Sequence, residues 1–446
     1  MGVSRAVPAH LRTGLPILVA ANVALLVAAH VCKGASTQVD GHAPLGMLKP
    51  HVASDDNLIS AVRRLADAHA WLMVLVVAGL SGLWPYAKLC ATLAVVALTD
   101  MDRLSRQRAH DALCWLEVLG KYSFADVVLI CFNAVIFEIS TGGSYKILFI
   151  GTLELHLYMQ LKFGSVALIV AVTLSTLLTH WAAYELGPGS APERKARDLP
   201  GSPDEEALAL QEEGGRSPRR EAFPWAGLAA ALASAGGAVL LIVGSAQPSL
   251  AVVRSGFLGK LIRPDSDQNL RMSIFSITGS MWDKGKERED EGAVFFALLF
   301  VVLTFVVPLL ELLALAGCGL AALLPKTRRA WGRGFNQTAA WLSSFGVVDV
   351  YLLVCLAVLF EIKTVVDFNI GDECKPFAPL MNNNFLLGIA GLRFAASSTC
   401  FEPRPFLLGG WWFLLVSVVL RTCAWRAASL LAAPKEDALE ASTHEA

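Results

Sequence analysis

Lys88 and Glu311 are charged side chains set deep inside apolar sequence, Lys88 within Trp71–Leu98 and Glu311 within Ala293–Leu324. A charge at the centre of a bilayer costs about 2.5–3.5 kcal/mol on insertion scales, so such residues face protein or water and acquire partners. Two aspartates, Asp126 and Asp349, each stand at the head of an apolar run, and two glutamates, Glu138 and Glu361, close the same runs. Pro85 and Pro308 each lie three residues before one of the charges. A proline inside a helix removes a hydrogen bond and frees a carbonyl, so both are expected to open the helix beside Lys88 and Glu311.

These residues fall into one register. Sliding the chain on itself by 223 residues lays Pro85 on Pro308, Lys88 on Glu311, Asp126 on Asp349 and Glu138 on Glu361. "DVVLICFNAVIFEI" then faces "DVYLLVCLAVLFEI", with Arg103 on Lys326 and Arg106 on Arg329. Apolar composition alone could match leucines and valines, but not the proline, the acids and the bases together, so the chain reads as two homologous halves. The register breaks in one informative place, where lysine faces glutamate. Opposite charges at equivalent depth suggest a Lys88–Glu311 pair across the halves; the bland reading satisfies each inside its own half, or lets Lys88 snorkel. For Asp126 and Asp349 two readings stand side by side. Ser123-x-x-Asp126 has capping-box spacing, and glycine at 346 is tolerated as an N-cap, so the acids could simply start helices. Alternatively they are protonatable carboxylates on a path. Glu138 and Glu361 read as structural acids at the opposite interface.

The elements that must hold these residues are membrane helices. Hydrophobic residues make up 55% of the 446 and charged residues 17%, too little charge to cover a soluble protein of this size. Eight apolar blocks run approximately Pro16–Val31, Trp71–Leu98, Phe124–Ile139, Val166–Ala183, Trp225–Gly244, Ala293–Leu324, Val347–Ile362 and Phe406–Leu420. Several fall short of the ~20 residues a crossing needs, so their ends extend into polar sequence. The expected fold is an all-α integral membrane protein of about eight transmembrane helices. Four per half is an even number, so the halves are parallel repeats. The first block could instead be a signal peptide behind Arg5 and Arg12; a retained helix is preferred because the second half also opens with one.

The expected organisation is a first module over 1–184, a flexible linker over 185–223 rich in proline, glycine and mixed charge, a second module over 224–425 and a tail over 426–446. The connections 99–123 and 324–346 read as short basic loops, the first carrying Arg103, Arg106, Arg108 and Lys121, which places both termini in the cytoplasm. Nine cysteines include no C-x-x-C pair. Cys374 and Cys400 share a polar segment, and are either a disulfide or two free thiols. No histidine cluster, nucleophile motif or metal-ligand spacing points to an enzyme, a metal or a cofactor; the net charge of −1 is uninformative about nucleic acid, which is not an expected partner. His156 and His180 stand singly.

In each half a helix with a proline and a polar residue, "GLWPYAKL" or "FVVPLLELL", leads through basic sequence into "KYSFADVVLI" or "SFGVVDVYLL"; "MSIFSITGSMWDKG" precedes the second proline helix. This arrangement resembles the paraquat-inducible protein A family over most of both halves. The resemblance implies two tetraspanin-like four-helix modules and a small sheet outside the membrane, formed by the segments after the odd helices. It also implies partnership with lipid-tunnel proteins and a role in moving lipids between membranes, with Lys88, Asp126, Glu311 and Asp349 at the family's polar positions. The chain departs from the family in lacking its zinc-binding cysteine pairs and any fused tunnel domain. The expected function is transport of a lipid or another amphiphile, coupled to protons through the intramembrane acids; the alternative is a non-transporting tetraspanin-like scaffold that binds partners through its outer loops.

Overall fold

The computed structural model describes residues 7–42, 51–136, 139–140, 145–147, 151–187, 224–255, 269–323, 328–370 and 402–432. Glu138, Cys374 and Cys400 lie outside them, as do the segments 188–223 and 433–446.

The first half opens with helix α1 (Ala9–Val31), followed by strands β1 (Ala35–His42) and β2 (His51–Asp56). The short helix α2 (Leu58–Asp67) starts at a reciprocal cap, in which Asn57 and Ser60 exchange side-chain and backbone hydrogen bonds. A turn with His69 in the left-handed region leads into a long span built from α3 (Trp71–Val74), a π-helical segment (Leu75–Leu83) and α4 (Trp84–Asp100). Helix α5 (Arg106–Gly120), a 3-10 turn (Lys121–Phe124) and α6 (Ala125–Ile136) make the third span. Strands β3 (Ile139–Ser140), β4 (Tyr145–Ile147) and β5 (Gly151–Leu161) precede α7 (Phe163–Leu186).

The second half follows the same order. Helix α8 (Pro224–Ala246) leads to β6 (Leu250–Ser255) and β7 (Asn269–Met272). Helix α9 (Ile274–Glu287) begins at the same kind of cap, Ser273 with Ser276, and ends before Glu289, again left-handed. Next come α10 (Glu291–Val301), a π segment (Val302–Val306) and α11 (Val307–Leu323), then α12 (Arg328–Ser343), α13 (Val348–Ile370), β8 (Glu402–Leu407) and α14 (Gly409–Ala432). Among the described residues eight helical spans are long and apolar enough to cross a membrane, so the chain is an integral multi-pass membrane protein.

Spans that alternate in direction bring every segment after an odd span to one end, and there the strands form two antiparallel sheets. One has the order β2-β1-β5-β3 with β4 paired to β5; the other is β7-β6-β8. Strand β1 pairs with β5 from Ala35↔Leu161 to His42↔Glu154, and β6 pairs with β8 from Leu250↔Leu407 to Ser255↔Glu402. The strand leaving the first span of each half is thereby tied to the strand entering its last. Gly164 and Gly410 lock these corners: their N–H groups donate to the Lys33 carbonyl at 2.9 Å and the Pro248 carbonyl at 3.0 Å. A Cβ on Gly164 would stand 2.7 Å from the Cys32 and Lys33 oxygens, so only glycine fits.

The segments 99–123 and 324–346 are not the loops their basic residues suggested. Helices α5 and α12 fill most of them and run into the third and seventh spans. The apolar blocks there were too short to cross alone, and the helix recruits polar sequence at its entry. The tail likewise starts later than residue 426, because α14 continues to Ala432.

Tight glycine contacts set the second half's helix spacing. A Cβ on Gly319 would lie 2.6 Å from the Gly227 carbonyl oxygen and 2.7 Å from the Ala231 nitrogen, so α11 and α8 meet backbone to backbone. Gly319→Ala is expected to push them apart and cost about 1–3 kcal/mol, read as a lowered unfolding midpoint of the detergent-purified protein.

Between the halves, α6 packs on α13, α9 and α10. The Phe132 ring meets that of buried Tyr351 at 5.4 Å, and the Tyr351 hydroxyl hydrogen-bonds the hydroxyl of Ser249.

Candidate functional site

Glu311 stands nearly one turn beyond Pro308 on α11 and is fully buried. Two residues of α14, four apart and therefore on one face, hold its carboxylate. Arg421 Nη1 donates to Oε2 at 3.3 Å, and Trp425 Nε1 donates to Oε1 at 2.8 Å. The other end of the Arg421 guanidinium lies 3.7 Å from Asp349 Oδ2. Asp349 in turn receives Lys121 Nζ at 2.5 Å, from the first half. The result is a row of charges of alternating sign, Glu311–Arg421–Asp349–Lys121, running from α11 through α14 and α13 into the 3-10 turn of the other half. Gly346, at the break between α12 and α13, lies against both members of the Glu311–Arg421 pair.

The first half builds a different network at the matched position. Lys88 Nζ donates to Thr176 Oγ1 at 3.1 Å; below it the Thr92 and Thr179 hydroxyls are 3.2 Å apart. His180 Nδ1 and Glu117 Oε1 meet at 3.0 Å, so His180 does not stand alone. Lys88 and Glu311 are each satisfied inside their own half, and among the described residues they are not bonded to each other.

The matched aspartates also differ. Asp349 sits in the first turn of α13, after a break at 344–347. Asp126 does not start a helix at a surface: Ser123 belongs to the 3-10 turn that joins α5 to α6. Asp126 is instead buried within the continuous third span, and its Oδ2 has no hydrogen-bond partner among the described residues. The Ser81 hydroxyl lies beside it without the geometry of a hydrogen bond.

Both prolines sit at the end of π-helical segments, where the wide turn is followed by a return to α geometry. Glu361 performs helix-terminal chemistry: its Oε1 accepts from the Leu72 N–H at 3.4 Å, placing a carboxylate of the second half at the first turn of the second span.

Lys121, Arg421, Trp425 and Glu117 escaped the sequence reading. Lys121 looked like a loop base, and Arg421 looked like the boundary of the block that stops at Leu420. The available signal was length: Phe406–Leu420 is too short to cross, so its helix had to take in Arg421. Among the described residues no three histidines, cysteines or acids gather to hold a metal.

Among the described residues, eight apolar helices long enough to cross a membrane define a polytopic membrane protein. The family model for paraquat-inducible protein A matches residues 15–186 and 268–388, more than half of the chain, and the chain belongs to that family. Neither the curated proteins nor the solved structures yield a match.

Proposed function

We propose that this protein is a transporter, or the membrane subunit of one, that moves a lipid or another amphiphile. The observation that supports the reading is the row Glu311–Arg421–Asp349–Lys121. A buried ion pair is a poor way to gain stability, since apolar residues of equal volume hold a core as well or better. A row that joins two similarly built halves is suited to breaking and reforming as they move. In this reading the halves are parallel, tetraspanin-like repeats, both termini are cytoplasmic, and the partners are membrane lipids and a lipid-tunnel protein. Coupling to an ion falls to Asp126, since Glu311 and Asp349 are held by fixed cations.

Glu311→Gln, in protein that still reaches the membrane, is expected to slow the movement of a fluorescent phospholipid in reconstituted vesicles tenfold or more. Unchanged movement would remove the proposal's basis. The scaffold reading draws on the same pairing, because charges neutralised by each other need no cargo. It expects Glu311 and Arg421 to tolerate joint apolar replacement with function intact.

A further inference from the structure

The two halves carry the same three oxygen groups beside their π segments, and only the second half provides them with partners. Trp84 donates its N–H to the Gly79 carbonyl, and Val307 donates to that of Val302, both with π spacing. The next carbonyls, Leu80 and Leu303, would look to Pro85 and Pro308, which have no N–H. Leu303 recovers a donor from outside its helix, the Val347 N–H at 3.1 Å. That donor exists because α13 begins afresh after the break at Gly346. In the first half the matched residue is Phe124, inside a 3-10 turn that does not break; the Trp84 N–H goes to Gly79 and Pro85 has none, so neither the α nor the π donor reaches the Leu80 carbonyl.

The next position repeats the contrast. Thr304 returns its hydroxyl to the Phe300 carbonyl at 2.6 Å, whereas the buried Ser81 hydroxyl, beside Asp126, completes no hydrogen bond among the described residues. Asp349 is neutralised through Oδ2 by Lys121 and Arg421, its Oδ1 remaining unpartnered, while Asp126 has no cation beside it among the described residues. Gly164 and Gly410 put α7 and α14 in the same register, so the place of Arg421 is taken in the first half by Ser175. Ser175 is also buried and unpartnered, as is the side-chain amide of Asn22 on α1. Ser81 and Asp126 stand at one depth, each about ten residues or roughly 15 Å from the sheet end of its span.

We infer that the first half binds an alkali-metal cation between the π segment and α6, held by the Leu80 carbonyl, the Ser81 hydroxyl and the Asp126 carboxylate. The cation takes the electrostatic part that Arg421 plays in the other half. One carboxylate suits a single positive charge, and hard oxygen donors suit an alkali ion rather than a transition metal. A backbone carbonyl released from an interrupted membrane helix is a fitting ligand for such an ion. A proton on Asp126 would let the carboxyl pair with the neighbouring Ser81 hydroxyl but would bring no donor to the Leu80 carbonyl. The inference deepens the transport reading by naming the coupling ion, and replaces the proton expected from sequence.

The test is thermal unfolding of the purified full-length protein in detergent, with NaCl or KCl exchanged against choline chloride at constant ionic strength. Saturable stabilisation by sodium or potassium is expected. It should be lost in Asp126→Asn, shifted at least tenfold in concentration in Ser81→Ala, and unchanged in Thr304→Ala. No difference from choline, or an equal response in Ser81→Ala, would overturn the site; stabilisation that follows pH alone would overturn it in favour of a proton. The readout needs no cargo. Cation binding without lipid movement would sink the transport reading alone, and lipid movement without cation binding would sink this inference alone.

Discussion

Arg421→Met is expected to be among the most damaging single substitutions in the membrane interior, costing about 3–5 kcal/mol. The guanidinium touches Glu311 on one side and Asp349 on the other, and its removal leaves Glu311, which is fully buried, with only the Trp425 N–H. The cost is that of an uncompensated buried charge rather than of lost contact area. Adding Glu311→Gln to the same chain should therefore return most of the loss, because Asp349 keeps Lys121 and the amide still accepts from Trp425. The measurement is the unfolding midpoint of wild type, both single variants and the double variant in one detergent. Additive losses would show that Arg421 contributes through packing and not through charge.

The eight spans were legible because apolar blocks report lipid exposure directly, and the matched prolines and acids gave the register between the halves. Their ends were not, for a reason Lys121 makes concrete. A basic residue between two apolar blocks is the mark of a cytoplasmic loop, yet Lys121 is buried against Asp349, 228 positions further on in the chain. Only the fold brings those two together. The two sheets entered through the family resemblance alone, since strands such as Ala35–His42 alternate too weakly to stand out beside membrane helices. Pro85 and Pro308 announced interrupted helices, but not that a carbonyl at Leu303 would find the Val347 N–H, which depends on a break in a different helix. The Lys88–Glu311 mismatch was visible as an anomaly; its resolution needed Thr176 and Arg421, on helices whose register is set by Gly164 and Gly410.

Asparagine at the two matched aspartates is expected to give opposite results. At position 349 the substitution strips Lys121 of its carboxylate in a buried place and takes one of two acids from Arg421, so Asp349→Asn should lower stability by about 3 kcal/mol. At position 126 the carboxylate has no cation, and its burial opposes folding whenever it is charged. Asp126→Asn keeps the shape and removes that cost, so in choline medium its unfolding midpoint should equal or exceed that of wild type. The same variant should lose lipid movement and the response to alkali ions, whereas Asp349→Asn, where it folds, should keep the ion response. Comparison of the two midpoints in choline, followed by titration with sodium, separates these outcomes. If both substitutions destabilise alike, the halves are electrostatically equivalent and Asp126 has a partner that the described residues do not supply. If only Asp349→Asn does, the two matched positions have been put to two uses: one half fixes its charges internally, and the other leaves a place for an ion.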